Sequence, residues 1–294
     1  MNHPFHGIWV PIVTPFHHGV LDCASLARLA QHLAEAGISG IVAGATTGEG
    51  ACLTLDELLQ MAEVLREALP AGYPIVLGLN SMDTRSATAQ ARSLSALRPT
   101  GLLVTAPPYV RPTQSGIRHH FEAVAEAADT PIIVYDIPYR TGVELDLDTL
   151  LALSEDHRIQ AIKSCGASVD RLVQLIHDTP LHVLIGEDSQ LFAALAMGAP
   201  GAIAASAHYR PTLWVRIIAL LAQGDLAGAR KLAVSLQRTT RALFAEPNPS
   251  PIKAWLAHQG WIANELRLPF LPAQAATLAR LQALDDCLNT EQVW

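Results

Sequence analysis

Apolar residues fall along this chain in short runs separated by longer amphipathic stretches. IWVPIV at 8–13, GIVAG at 40–44, PIVLGL at 74–79, GLLVTA at 101–106, PIIVYDI at 131–137, RIQAIKS at 158–164, LHVLIG at 181–186 and GAIAAS at 201–206 read as eight strands. Each is short and bounded by Gly, Pro or polar residues. Between them, helices are predicted over 26–37, 54–69, 83–97, 114–128, 146–154, 168–178, 189–197 and 209–223. The first stops at Gly37, and Thr54 with Glu57 supplies a capping box for the second. The strands are apolar nearly throughout, which is the pattern of strands buried on both faces. Eight strand-then-helix units predict parallel strands with right-handed crossovers. The expected fold is therefore α/β, a closed (β/α)8 TIM barrel over residues 1–224. A doubly wound open sheet is the alternative, and the lack of a GxGxxG after the first strand counts against it. Beyond 224 the alternation ends. LAGARKLAVSLQRTTRALF, a stretch around 252–259 and one over 273–288 predict three helices, a C-terminal appendage over 225–294.

Composition narrows the class. Of 294 residues, 50% are hydrophobic and 16% charged, enough for a large buried core. The formal charge is -7 and the pI near 5.9, with no basic stripe of the kind that binds nucleic acid. Cys23, Cys52, Cys165 and Cys287 lie far apart with no CxxC pair. That argues against a zinc ribbon or a disulfide scaffold and fits a reducing cytosol. The N-terminus MNHPFHGIWVPIVTPF lacks the basic start and long apolar run of a signal peptide, and no run is long enough to span a membrane. The expectation is a cytoplasmic protein acting on small molecules.

In a barrel the active site lies at the C-terminal ends of the strands, so polar residues there need a reason. Lysine occurs only at 163, 231 and 253. Lys231 reads as part of a solvated helix face, and Lys253, at a helix start after EPNPSPI, as structural. Lys163 ends the sixth strand. A lysine desolvated there loses basicity and can attack a ketone to form a Schiff base; the competing reading is a bridge to a buried carboxylate. Tyr135 ends the neighbouring strand, where it is either a proton shuttle or a rim aromatic. Arg140 is suited to bidentate carboxylate binding or to a loop salt bridge. ATTGEG at 45–50 offers hydroxyls and backbone N–H groups to an anion but is not a Walker A loop. Tyr109, in TAPPYVRP, either packs its loop or reaches a site or a subunit contact. The twelve histidines show no metal-ligand spacing, and Ser164, Ser189 and Ser206 lack a GxSxG setting.

VTPF at 13–16, ATTGEG at 45–50, PPYVRP at 107–112, YDIPYRTG at 135–142, AIKS at 161–164, GED at 186–188 and EPNPSPIK at 246–253 occur in an order and spacing that resemble the dihydrodipicolinate synthase / N-acetylneuraminate lyase family of class I pyruvate aldolases. YxxPxRTG and FxEPNPxPxK resemble its synthase branch. The resemblance spans almost the whole chain. It implies that Lys163 forms the imine with pyruvate and that Tyr135 relays protons, linked to the Thr46 hydroxyl and completed by Tyr109 of a neighbouring subunit. It implies that Thr47 holds the pyruvate carboxylate, mainly through its backbone N–H. Arg140 would bind the carboxylate of aspartate 4-semialdehyde, and Gly186 and Ile203 would shape the pyruvate pocket. It implies a homotetramer of tight dimers with no metal or organic cofactor.

Three departures stand out. Positions matching the inter-subunit lysine pocket of lysine-inhibited members are Gly50, Leu55, Leu58, Met82, Ser86 and Pro108, none of them charged. Desolvating an amino acid's ammonium and carboxylate among them is costly, so no lysine inhibition is expected. Tyr139 precedes Arg140 where a small residue is commoner, and Ser164 follows Lys163 where an acid is frequent; both are expected near the second-substrate site. A lyase or aldolase for a 2-keto-3-deoxy sugar acid, a sialic acid or a hydroxy-oxo acid would keep the same imine, but has no use for Arg140. A silent small-molecule sensor has no reason to keep a buried amine, and a metal-dependent barrel enzyme lacks its ligand spacing.

Overall fold

The computed structural model describes residues 3–290. After β1 (Gly7–Pro11) comes a small antiparallel hairpin, β2 (Phe16–His17) and β3 (Val20–Leu21), separate from the barrel sheet. The remaining strands are β4 (Gly40–Ala43), β5 (Ile75–Leu79), β6 (Gly101–Thr105), β7 (Ile132–Asp136), β8 (Ile159–Ser164), β9 (His182–Ile185) and β10 (Gly201–Ile203). All except the hairpin pair in parallel, in the closed order β1-β10-β9-β8-β7-β6-β5-β4. Closure, with Trp9 opposite both Ile203 and Gly40, removes the doubly wound alternative.

Helices follow the strands: α1 (Cys23–Glu35), α2 (Leu55–Ala68), α3 (Thr84–Ser95), α4 (Gln114–Ala127), the single turn α5 (Pro138–Thr141), α6 (Leu147–Ser154), α7 (Val169–Asp178), α8 (Leu191–Ala196) and α9 (Pro211–Ala222). The last three are α10 (Leu226–Leu243), α11 (Ser250–His258) and α12 (Ala275–Thr290), with α10 packed on α8, α9 and α12. The capping box of α2 is present in full: Glu57 N–H donates to Thr54 Oγ1 at 3.2 Å, and Thr54 N–H to Glu57 Oε2 at 2.9 Å.

Period-two alternation splits the apolar residues into two cores. Ile8, Val10, Ile41, Ile75, Leu77, Leu102, Val104, Ile132, Val134, Ile162 and Val183 face the helices. Trp9, Val42, Val76, Leu103, Ile133, Ala161, Leu184 and Ile203 fill the barrel interior. Gly40 makes Trp9 possible, because a Cβ there would lie 2.3 Å from the indole ring. The same alternation carries Tyr135, two residues beyond Ile133, and Lys163, two beyond Ala161, into the barrel mouth.

Boundaries differ from the hydrophobic pattern where chain ends turn sharply. The first strand stops at Pro11, and the eighth at Ile203, after which Ala205–His208 is a 3-10 turn. The first helix begins at Cys23, capped by Asp22, whose side chain accepts from Ser25 N–H at 3.0 Å.

Candidate active site

Lys163 and Tyr135 are register partners on β8 and β7. Lys163 is 4% exposed, and its Nζ lies 4.2 Å from the centroid of the Tyr135 ring. Burial pushes the lysine below the usual amine range, while the negative charge of Asp188 and Glu187 pulls the other way. Burial, reinforced by Cys165, raises Tyr135 well above the ordinary phenol range, and the Thr46 side chain opposes that rise. Tyr135 therefore stays protonated at neutral pH, a neutral group able to pass a proton along an O–H chain. Cys165, two residues after Lys163 on the same inward face, is buried with its thiol pushed up to about 11 by desolvation. It is a neutral thiol, not a nucleophile in waiting.

Gly186 follows β9 at the point where Lys163 needs room. A Cβ there would lie 2.6 Å from Lys163 Cε and 2.3 Å from Cys165 Sγ. Next to it Asp188 accepts from Ser206 N–H at 2.6 Å and Ser206 Oγ–H at 2.5 Å, tying the ends of β9 and β10 together. Burial raises its carboxyl to about 6.

The 45–50 segment forms two 3-10 turns, Thr46–Gly48 and Gly50–Cys52, joined at Glu49 with φ 53°. Non-glycine residues seldom hold that conformation, and a buried bond network fixes it. Lys253 Nζ donates to Glu49 Oε1 at 2.6 Å and to the Thr14 carbonyl at 2.8 Å; Arg267 N–H donates to Glu49 Oε2 at 2.9 Å. Both partners of the Lys253–Glu49 pair are 0% exposed. The structural reading of Lys253 is borne out, and its position behind the turn links it to the site. Thr47 is held by Asn248 Nδ2, which donates to its hydroxyl at 3.0 Å. Gly50 completes the turn, since a Cβ there would meet the Gly44 carbonyl oxygen at 1.9 Å.

These groups enclose a cavity of ≈ 370 Å³. Thr46, Thr47, Tyr135, Arg140, Lys163, Gly186 and Ile203 all line it, as does Tyr139. One expectation is corrected. Ser164 is buried on the outward face of β8, since adjacent strand residues point to opposite sides, and does not line the cavity. Tyr109, expected at the site of a neighbouring subunit, does not line the cavity of its own chain and is 86% exposed on the loop after β6, with φ 74°. The wall formed by Glu187, Asp188 and Glu246 to Asn248 carries no hydrophobic periodicity and was legible only as the motifs GED at 186–188 and EPNPSPIK at 246–253. Cys165 was within reach of the period-two rule. Elsewhere a larger cavity of ≈ 630 Å³ lies between α9, α11 and α12, away from Lys163. Among the described residues no group of three or more His, Cys, Asp or Glu is placed to hold a metal, and no helix is long and apolar enough to cross a membrane.

The model of the dihydrodipicolinate synthetase family matches residues 4–286. The chain belongs to that family. A 4-hydroxy-tetrahydrodipicolinate synthase of Pelobacter propionicus is 35% identical over 282 residues, 95% of this chain and 97% of the relative. One of Methanothrix thermoacetophila is 36% identical over 95% of both chains. The solved 4-hydroxy-tetrahydrodipicolinate synthase of Methylacidiphilum fumariolicum superposes with a TM-score of 0.94 at 33% identity, covering 99% of each chain.

Proposed function

We propose that this chain is a 4-hydroxy-tetrahydrodipicolinate synthase, condensing pyruvate, held as a Schiff base on Lys163, with L-aspartate 4-semialdehyde in the diaminopimelate and lysine pathway. The observation that carries this reading is the desolvated Lys163 amine beside the protonated Tyr135 hydroxyl on the floor of the cavity. Neutral amine adds to the pyruvate ketone, and loss of water gives the imine. The imine acidifies the pyruvate methyl, and the resulting enamine attacks the aldehyde. The substrate's own amine then displaces Lys163 and closes the ring. Tyr135 and Thr46 carry protons to and from the carbinolamine, with Tyr109 of a neighbouring subunit completing the relay. Thr47, chiefly through its backbone N–H, holds the pyruvate carboxylate, and Gly186 and Ile203 bound its pocket. Arg140 binds the carboxylate of the aldehyde, which favours this reading over a sugar-acid lyase. The chemistry as written calls for no metal or organic cofactor. The working organisation is a barrel over 1–224 with a helical appendage over 225–294, assembled as a cytoplasmic homotetramer of tight dimers.

Borohydride reduction in the presence of pyruvate tests the root of the mechanism. A reduced pyruvyl adduct on the Lys163 peptide is expected, followed by turnover with aspartate semialdehyde. Folded protein that traps no pyruvate overturns the reading.

A further inference from the structure

Four charged side chains besides Lys163 line the cavity: Arg140, Glu187, Asp188 and Glu246. The three carboxylates differ in how they are used. Asp188 is buried and engaged by Ser206 through two short hydrogen bonds. Glu246 accepts from Gln274 N–H with both oxygens, at 3.1 and 3.3 Å. Glu187 has, among the described residues, one hydrogen bond, from the Ser189 hydroxyl at the long distance of 3.4 Å. It lines the cavity with Lys163, Asp188 and Tyr139, and its charge acts on all three.

The topology then matters. Glu187 follows β9 and Arg140 follows β7, and β8, carrying Lys163, lies between them. A molecule approaching an imine on Lys163 meets the Arg140 cation on one side and an under-used anion on the other. We infer that Glu187 is a specificity-determining residue that receives the ammonium of an amino-acid aldehyde while Arg140 holds its carboxylate. This rests on the function proposed above and names the group that separates aspartate semialdehyde from uncharged or purely anionic aldehydes. An ammonium–carboxylate contact in a partly desolvated wall is a charge-assisted hydrogen bond, stronger than a hydroxyl contact at the same place. A sugar aldehyde brings no cation and would leave Glu187 facing neutral hydroxyls.

The test compares the wild-type chain with Glu187→Gln and Glu187→Asp at saturating pyruvate. Aspartate semialdehyde is varied, and 4-oxobutanoate, the same aldehyde acid without the ammonium, serves as competing ligand. Loss of one charge-assisted bond is expected to raise KM for aspartate semialdehyde about tenfold or more in Glu187→Gln. Glu187→Asp is expected to fall between the two. The inhibition constant of 4-oxobutanoate is expected to move much less, so the preference for the ammonium-bearing aldehyde collapses. Equal changes for both aldehydes, or no change for either, overturn the inference. So does a Glu187→Gln protein that no longer traps pyruvate, because the role of Glu187 would then lie with Lys163. Wild-type protein that traps pyruvate but does not turn over aspartate semialdehyde identifies the proposed aldehyde as the failing element, and the inference falls with it.

Discussion

At the scale of single residues the site is governed by burial. The same desolvation that lowers the Lys163 amine below its usual range keeps Tyr135 protonated. Lys163→Ala is expected to abolish both turnover and pyruvate trapping. Tyr135→Phe is expected to slow turnover by roughly 10²–10⁴-fold, the usual worth of a positioned acid–base group, with an unchanged circular dichroism spectrum; near-wild-type rates for either variant would remove that residue from the mechanism. Asp136, next to Tyr135 but facing outward, shows burial acting on stability instead. Its carboxyl accepts from Leu145 N–H at the long distance of 3.4 Å, and desolvation raises it to about 7. Folded, it holds its proton to higher pH than when unfolded, so between about 4 and 7 the native state binds more protons. Asp136 thus contributes stability at low pH that is lost as pH rises through that window, at up to about 1.4 kcal/mol per pH unit. Buried His120 and His208, both lowered to about 4, push in the opposite sense. The measurement is therefore a difference: Asp136→Asn is expected to gain stability over wild type as pH rises from 4 to 7, read from melting curves at several pH values. A constant difference across that range would assign the raised carboxyl elsewhere.

At the scale of elements, what was legible in the sequence followed from periodicity, and what was not came from irregular turns. Eight apolar runs are eight strands because both faces are buried, and Lys163 and Tyr135 could be placed at strand ends by counting from those runs. The β2–β3 hairpin, of two residues per strand, and the four-residue α5 are too short to leave a periodic trace. The 45–50 turn was legible as a Gly-rich motif, but its support was not, because Glu49 and Lys253 are distant in sequence. That support gives a prediction. Lys253→Met leaves the buried Glu49 carboxylate short of its cation, which costs about 3–5 kcal/mol. Melting temperature is expected to fall by several degrees, and the pyruvate concentration needed for half-maximal trapping to rise, because the turn carrying Thr46 and Thr47 loosens. Adding Glu49→Gln to Lys253→Met removes the unpaired charge and is expected to recover part of the stability. A double variant no more stable than the single would place the cost in packing against Phe16, whose ring centroid lies 4.6 Å from Lys253 Nζ.

At the scale of the whole molecule the proposed assembly supplies what one chain lacks. No charge stands at Gly50, Leu55, Leu58, Met82, Ser86 or Pro108 to receive an amino acid between subunits. The neighbouring carboxylate of Asp83 is already engaged at the N-terminus of α3, accepting from Ser86 N–H at 2.9 Å. Turnover is therefore expected to be unchanged by low-millimolar lysine, and inhibition in that range would show that ligands come from residues other than these six. Tyr109 poses the sharper question. Its φ of 74° and near-complete exposure are costly features for an aromatic residue, and it does not line the cavity of its own Lys163. If it serves the neighbouring subunit, two defects can complement. Tyr109→Phe lowers turnover because its relay is broken, and Lys163→Ala lowers it because no imine forms. In an assembly mixed from both, a subunit keeping Lys163 receives an intact Tyr109 from its partner. Activity of the mixture, per Lys163-bearing subunit, is expected to exceed that of Tyr109→Phe alone. No gain, with mixed assemblies demonstrated by native mass spectrometry, would mean that Tyr109 does not act across an interface and that the relay ends at Thr46.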